Sequence, residues 1–210
     1  MKLTFSRRSA KPSTVKLTRA DIEQQAITDL SKFARLFQEK TGAQIVYPID
    51  VDKMAQLLWE VEIAYEDIPL DDSGEEVLGY FDHPNKKIVV DPKRCKNDGR
   101  TTFTVAHELG HLSLHSFLMA FPRQLTRARR ESENVRLEWQ ASRYAISLLA
   151  PRQRVIDVLR SLGLVEFSTF LPVDLATHAT TLQNEFGLSR QALEIRLDEI
   201  GVSSLNKKYE

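Results

Sequence analysis

Three of the five histidines in this chain fall within one short run, T-V-A-H-E-L-G-H-L-S-L-H at 104–115. Two of them, His107 and His111, enclose Glu108 in the pattern H-E-x-x-H. Residues four apart lie on one face of a helix, so both imidazoles can approach the same metal ion. Imidazole nitrogens suit Zn²⁺, and Glu108 at the edge of that face can take a proton from a water that the metal activates. The spacing therefore predicts a hydrolytic zinc site.

The residues around the motif favour this interpretation over a chance pattern. A random H-E-x-x-H is expected in roughly one in a hundred chains of this composition. Here, however, the flanking residues are apolar and predict a buried helix, in which ionisable groups need a partner such as a metal. Gly110 is expected to leave room beside the ion. The apolar flanks are Phe103, Val105, Ala106, Leu109, Leu112 and Leu114.

A catalytic zinc ion usually has three protein ligands and one open position. Cys95 is the only cysteine, which excludes an internal disulfide and makes a cysteine-based zinc site very unfavourable. His115 lies too far along a straight helix to share the ion with His111. It is expected to support a ligand, to pack in the core or to lie near the substrate. The third ligand should therefore be a carboxylate from a following helix.

Glu138 is the preferred candidate for that ligand, in a helix predicted over 133–149. It lies beside an apolar stripe, whereas Glu133 falls in the first turn among arginines and is expected to be solvated. The alternative for Glu138 is a surface salt bridge to Arg143. The apolar stripe comprises Leu137, Ala141, Tyr144, Ala145, Leu148 and Leu149.

The remaining elements follow from periodicity and turn signals. Their order, with a small sheet between helices, is that of an α+β protein. We predict helices over 21–40, after Asp50, from Thr101 or Thr102 to at least 114, from Pro151 to near 163, over 173–186 and over 189–200; strands at 44–47, 61–65, 78–81 and 87–91; and a basic loop at 122–130.

The charge balance and the lack of long apolar runs narrow the classes of protein to which this chain can belong. Lys plus Arg and Asp plus Glu number 29 each, which argues against bulk electrostatic binding of nucleic acid or membrane. The start lacks the apolar segment of a secretory signal, and no run reaches the length of a membrane span, so a cytoplasmic protein is expected. We predict a basic tail over 1–20, a catalytic domain over 21–162 and a C-terminal helical region over 163–210.

Two motifs together resemble the ImmA/IrrE family of metallo-endopeptidases. They are R-T-T-F-T-V-A-H-E-L-G-H-L-S-L-H at 100–115 and E-W-Q-A-S-R-Y-A-I-S-L-L-A-P at 138–151, and the resemblance covers roughly 44–151. It implies a zincin-like fold, in which a small sheet packs on the motif helix and its edge strand holds an extended peptide. It also implies Zn²⁺, with Mn²⁺ as a substitute, held by His107, His111 and Glu138, with Glu108 as general base.

The resemblance further implies cleavage of a helix-turn-helix transcriptional repressor in a stress or mobile-element response. The chain departs from the family at Gln140, where a second Glu is usual, and at Ser142, where Asn is usual. Ser142 and His115 are candidates to support the ligands or an oxyanion. Tyr144 is a weaker oxyanion candidate, because packing between helices is the more natural role for it.

The C-terminal run 182–202 is similar to the ending common in that family and also fits helix-turn-helix geometry. A helical hairpin that packs on the catalytic domain is the preferred interpretation, and direct DNA binding is the alternative. A second alternative for the whole protein is a zinc-containing protein that sequesters a repressor without cleaving it. Glu108 argues against that alternative, since a purely structural site does not need it.

Overall fold

A computed structural model describes residues 17–71, 74–120, 127–166, 169–170 and 173–202 of the chain. The helices and strands follow the predicted α+β order, and that class is confirmed. The helices are α1 (Arg19–Thr41), α2 (Val51–Trp59), α3 (Pro92–Cys95), α4 (Asp98–Ala120), α5 (Arg127–Leu149), α6 (Arg152–Ser161), α7 (Leu175–Phe186) and α8 (Arg190–Glu199). The strands are β1 (Glu62–Tyr65), β2 (Gly79–Asp82), β3 (Lys87–Val90), β4 (Val165–Glu166) and β5 (Thr169–Phe170).

The three-stranded sheet has the order β1-β3-β2. Strand β3 pairs parallel with β1 and antiparallel with β2, with Ile88 opposite Ile63 and Phe81. The apolar run Ile88–Val90 is buried, as expected for the central strand. The predicted hairpin is confirmed, and β2 lies at one edge of the sheet, with no further strand beside it in the described part of the chain.

Local capping explains where the first two helices begin and end. Thr18 and Asp21 form a reciprocal capping box at the start of α1, and Gly42 ends the helix with a left-handed φ of 73°. The Asp50 side chain accepts from the Lys53 N–H at the start of α2. The sequence predicted both helices, and both are confirmed. The strand predicted at 44–47 is wrong, since these residues form no strand and Val46 is 75% exposed.

Other boundaries also differ from the prediction, and at the start of α4 the reason is a nearby side chain that competes as cap. Helix α4 begins at Asp98 rather than at Thr101 or Thr102, since the Asn97 side chain accepts from the Arg100 N–H. The segment before it contains the short helix α3, capped by the Asp91 carboxylate. Residues 127–130, predicted as loop, already belong to α5, and 121–126 lie outside the described residues. The β4–β5 hairpin was not predicted.

The C-terminal helices share one hydrophobic core with the rest of the chain. Leu182, Leu193 and Leu197 lie in the same cluster as Ile22 of α1. A buried arginine of α8, Arg196, reinforces this packing. The domain boundaries proposed from the sequence stay predictions, and residues 1–16 of the predicted tail lie outside the described part.

Arg196 is only 2% exposed and fastens α8 to two other parts of the fold. Its Nε donates to the Ala150 carbonyl at 2.8 Å, and its Nη2 donates to Glu23 Oε1 at 2.6 Å. Nearby, Arg143 of α5 pairs with Glu199 of α8. The helical hairpin therefore packs on α1 and on the end of α5. Within the described residues, none of the helices combines the length and the apolarity needed to cross a membrane.

Candidate metal centre and active-site cleft

Helices α4 and α5 approach each other closely at Gly110. A Cβ atom added there would lie 2.9 Å from the Ala141 carbonyl oxygen, 3.0 Å from its Cα and 3.2 Å from the Tyr144 Cβ. The main chains of the two helices are therefore nearly in contact. Gly110 makes room for α5 and not for the metal, which corrects the expectation from the sequence. This crossing brings residues near the start of the buried part of α5 opposite the motif histidines.

The crossing gathers three candidate ligands from the two helices. His107 Nε2 lies 3.0 Å from Glu138 Oε2 and 3.1 Å from His111 Nε2, and His111 Nε2 lies 3.3 Å from Glu138 Oε1. Ligand atoms about 2.0–2.2 Å from one tetrahedral ion would lie about 3.3–3.6 Å apart, and small side-chain shifts would bring the three groups to these distances. Two imidazole nitrogens and one carboxylate oxygen at these separations fit Zn²⁺. The sequence-predicted set His107, His111 and Glu138 is thus brought together in the fold.

The charge state of Glu138 suits this arrangement. In the metal-free arrangement, hydrogen bonds from His107 and then His111 hold the pKa of its carboxyl well below the usual range, so the group is an anion before a cation binds. The alternative salt bridge from Glu138 to Arg143 does not form. Arg143 instead pairs with Glu199 and lies over the Trp139 ring, with its Cζ 5.6 Å from the ring centroid.

Each histidine of the cluster has a hydrogen-bond partner behind it. Ser142 Oγ lies 3.2 Å from His107 Nδ1, and His115 Nδ1 lies 3.1 Å from His111 Nδ1. If Nε2 of each ring faces the metal, Nδ1 carries the proton and donates to these partners. Burial lowers the pKa of His115, which keeps its ring neutral and able to accept at Nδ1. Ser142 and His115 therefore each contact the second ring nitrogen of a candidate ligand.

Gln140 completes the chain of hydrogen bonds behind His111. Its Oε1 lies 2.8 Å from His115 Nε2, and both residues are 2% exposed. Because His115 accepts at Nδ1, its Nε2 carries the proton and donates to this amide oxygen. The Gln140 Nε2 has no hydrogen-bond partner among the described residues. Sequence reasoning noted Gln140 as a departure from the family but did not predict its contact with His115.

Tyr144 lies away from the cleft and takes part in a different buried network. Its hydroxyl donates to Asp29 Oδ2 at 2.9 Å, and Ser113 Oγ donates to the same oxygen at 2.5 Å. Tyr144 is fully buried and Asp29 is 3% exposed. Together with Ser113, the two residues link α1, α4 and α5. This position gives no support to an oxyanion role. Asp29 was missed, although an acid between Ala26 and Phe33 on an apolar helix face is a signal for such a network.

The histidine cluster opens into a cleft of about 370 Å³ between α4, α5 and the start of β2. Gly79 permits the close approach of that strand, since a Cβ there would lie 2.7 Å from the Thr104 Cγ2. Glu108 lines the same cleft, and burial raises the pKa of its carboxyl. A carboxylate with a raised pKa beside a site for one metal ion is a good acceptor for a proton from a metal-bound water. The cleft residues are Leu78, Gly79, Arg100, Phe103, Thr104, His107, Glu108, Glu138 and Ser142.

Among solved structures with a similar fold is a Mycobacterium tuberculosis transcriptional regulator, with a TM-score of 0.51 and 16% sequence identity. The similarity covers 91% of this chain and 62% of that protein, so this chain spans less than two thirds of the regulator's length. At this identity the likeness concerns the fold alone. No curated protein matches the chain.

Comparison with families of known sequence gives a match over residues 61–198, to Peptidase_M78, described as the IrrE N-terminal-like domain. The matched segment is about two thirds of the chain and includes the sheet, the histidine cluster, Glu138 and most of the C-terminal hairpin. The chain therefore belongs to this metallopeptidase family, which confirms the resemblance to the ImmA/IrrE family.

Proposed function

We propose that this protein is a zinc-dependent endopeptidase with a zincin-like fold that cleaves a specific protein substrate. One observation carries the proposal: His107, His111 and Glu138 converge with separations that suit one ion, and Glu108 lines the same cleft. A structural zinc site is normally closed by four protein ligands, whereas a catalytic site keeps one position open. Three converging ligands beside an open cleft and a spare carboxylate favour catalysis.

In this proposal His107, His111 and Glu138 hold Zn²⁺, or Mn²⁺ in its place. The bound ion supplies Lewis acidity, which polarises the scissile carbonyl and makes the attacking water more acidic. The Glu108 carboxylate takes the proton from that water and passes it to the leaving nitrogen. Ser142 and His115 keep the Nδ1 protons of the two ligand rings in place, so that each Nε2 lone pair is free for the ion.

The substrate is proposed to bind as an extended segment along β2. This strand is an edge strand whose first residue lies in the cleft, whereas β3 is central and already paired on both sides. Main-chain hydrogen bonds to an open strand edge bind a peptide without regard to most of its side chains. The cleft beyond Gly79 then receives the scissile bond.

The protein substrate is proposed to be a helix-turn-helix repressor or antitoxin, cleaved in a stress or mobile-element response. The family resemblance supports this choice, and the similar solved structure is itself a transcriptional regulator. A repressor substrate would place the activity in the cytoplasm. We propose that the α7–α8 hairpin, although of helix-turn-helix type, serves to pack, because Arg196 and Leu193 of α8 are buried.

Incubation with the repressor encoded beside this gene tests the proposal. Purified wild-type protein loaded with Zn²⁺ should produce one discrete cut in the repressor, detected by mass spectrometry. The Glu108→Gln variant should bind zinc and repressor but produce no cut. Tight binding without any cut by the wild type would support the sequestering protein instead and would refute the peptidase.

A further inference from the structure

Arg100 of α4 is an exposed arginine that lines the cleft of the candidate metal centre. It lies in the first turn of α4, where the partial positive charge of the helix N-terminus repels a cation. Its side chain forms no ion pair or hydrogen bond with any residue in the described part of the chain, although its main-chain N–H donates to Asn97. Arg154 and Arg190 pair with Glu185 and Glu194. Arg19 and Arg152, which begin α1 and α6, resemble Arg100 in having no such pair among the described residues. The Arg100 guanidinium is therefore available to pair with a group bound in the cleft.

The position of Arg100 relates it to the candidate metal centre. Arg100, Phe103 and His107 are spaced i, i+3 and i+7, so they share one face of α4, and all three line the cleft. Seven helical residues rise about 10 Å along the axis, and an extended peptide advances about 3.3 Å per residue. The guanidinium is therefore within reach of a substrate side chain about two or three residues from the scissile bond.

The charge balance of the cleft defines what Arg100 would bind. Its charged lining residues are Glu108, Glu138 and Arg100, and His107 lines it as a candidate metal ligand. A divalent cation offsets the two carboxylates and leaves the guanidinium as the uncompensated charge. In a partly enclosed cleft such a charge acts more strongly on a bound group than it would on a flat surface. Arginine also matches the planar, two-oxygen geometry of a carboxylate.

We propose that Arg100 forms a specificity subsite that selects an aspartate or glutamate of the substrate two or three residues from the scissile bond. This subsite rests on the proposed peptidase function. Phe103 beside it supplies an apolar surface along which the methylene groups of the bound side chain lie.

Decapeptide libraries test the subsite, each with one position fixed as Glu, Gln or Lys and the others randomised. Binding to the zinc-loaded Glu108→Gln protein, measured by fluorescence anisotropy, should favour Glu over Gln roughly three- to tenfold at one position, and Glu over Lys by more. Cleavage by the wild type should follow the same order. Arg100→Gln, made in the Glu108→Gln and wild-type backgrounds, should abolish the preference, and Arg100→Glu should reverse it toward Lys.

Arg35→Gln is the matched control, because Arg35 is an exposed arginine of α1 that pairs only with Glu39. It should leave the preference unchanged. An acidic preference that persists in Arg100→Glu, or its absence from the wild type at every position, would overturn the subsite. Binding with the expected preference but without cleavage by the wild type would refute the peptidase and keep the subsite. Arg100→Gln should unfold at the same or a slightly higher temperature, and a clear decrease would reveal a structural role and overturn the proposal.

Discussion

Substitution of Gly110 by alanine should displace α5 from α4. We expect it to weaken zinc binding strongly while lowering the stability of the metal-free protein only a little. The added Cβ would lie 2.9 Å from the Ala141 carbonyl oxygen and 3.0 Å from its Cα. Favourable contacts between carbon atoms begin near 3.5 Å, so α5 must move away from α4 by about 0.5 Å. The atoms in the way belong to the main chain of α5, so a rotamer change cannot relieve the contact.

The expected changes in the free energy of unfolding and in zinc affinity follow from this displacement of α5. Overpacking costs about 1–3 kcal/mol, and replacement of glycine by alanine in a helix returns about 1 kcal/mol. The free energy of unfolding of the metal-free protein should therefore fall by about 0–2 kcal/mol. Metal sites tolerate ligand displacements of only about 0.2 Å, and Glu138 on α5 would move away from the two α4 histidines. Zinc affinity should fall by roughly tenfold or more.

Urea denaturation of the metal-free protein and zinc titration against a chromophoric chelator measure the two effects. Gly99→Ala is the matched control, since it is the same substitution in the same helix but contacts the Gly187 carbonyl at 3.1 Å, away from the metal centre. It should change stability without changing zinc affinity. Wild-type zinc affinity in Gly110→Ala would show that the helix crossing does not set the ligand geometry and would refute this reasoning.

Three further substitutions test interactions elsewhere in the fold. Gln140→Leu removes the acceptor of the His115 Nε2–H and should weaken zinc binding roughly 10–100-fold by chelator competition, with little loss of metal-free stability. Arg196→Ala leaves the carboxylates and the carbonyl that it contacts without their partner and should cost about 3–5 kcal/mol in urea denaturation. Asp91→Asn should destabilise the protein at neutral pH, because backbone N–H groups, that of Ile68 first, hold the pKa of Asp91 low. This contribution is present above the ordinary pKa of aspartate and is lost as pH falls through the lowered value, so the two proteins should converge in acid.

A different outcome would contradict the expectation for each of the three substitutions. Unchanged zinc affinity in Gln140→Leu would mean that His115 holds its tautomer without the amide. A cost near zero for Arg196→Ala would mean that α8 is held by its apolar residues alone. A gap between Asp91→Asn and wild type that stays constant down to pH 3 would exclude the carboxylate charge as the cause.

The sequence determined features whose physical basis lies within one or two turns of chain. A capping box and a left-handed glycine fixed both ends of α1, and the i, i+4 spacing placed His107 and His111 on one face. The turn residues D-H-P-N at 82–85 likewise predicted the hairpin of β2 and β3. Predictions failed where two local signals competed, as at the start of α4, where Asn97 rather than a threonine caps the helix. The strand predicted at 44–47 failed although Ile45 and Tyr47 pack against the core, because no strand of the described residues pairs with this segment.

Only the tertiary structure decided which groups meet across long stretches of chain. The sequence nominated Glu138, but the close crossing at Gly110 brings its carboxylate to the histidines, 31 residues from His107. Tyr144 contacts Asp29, 115 residues away in the chain. The tyrosine therefore lies in the core and not at the candidate catalytic site. Hydrogen bonds and periodicity within a helix are local, so sequence encodes them directly. The pairing of distant side chains depends on how helices pack, and packing depends on the whole set of buried surfaces at once.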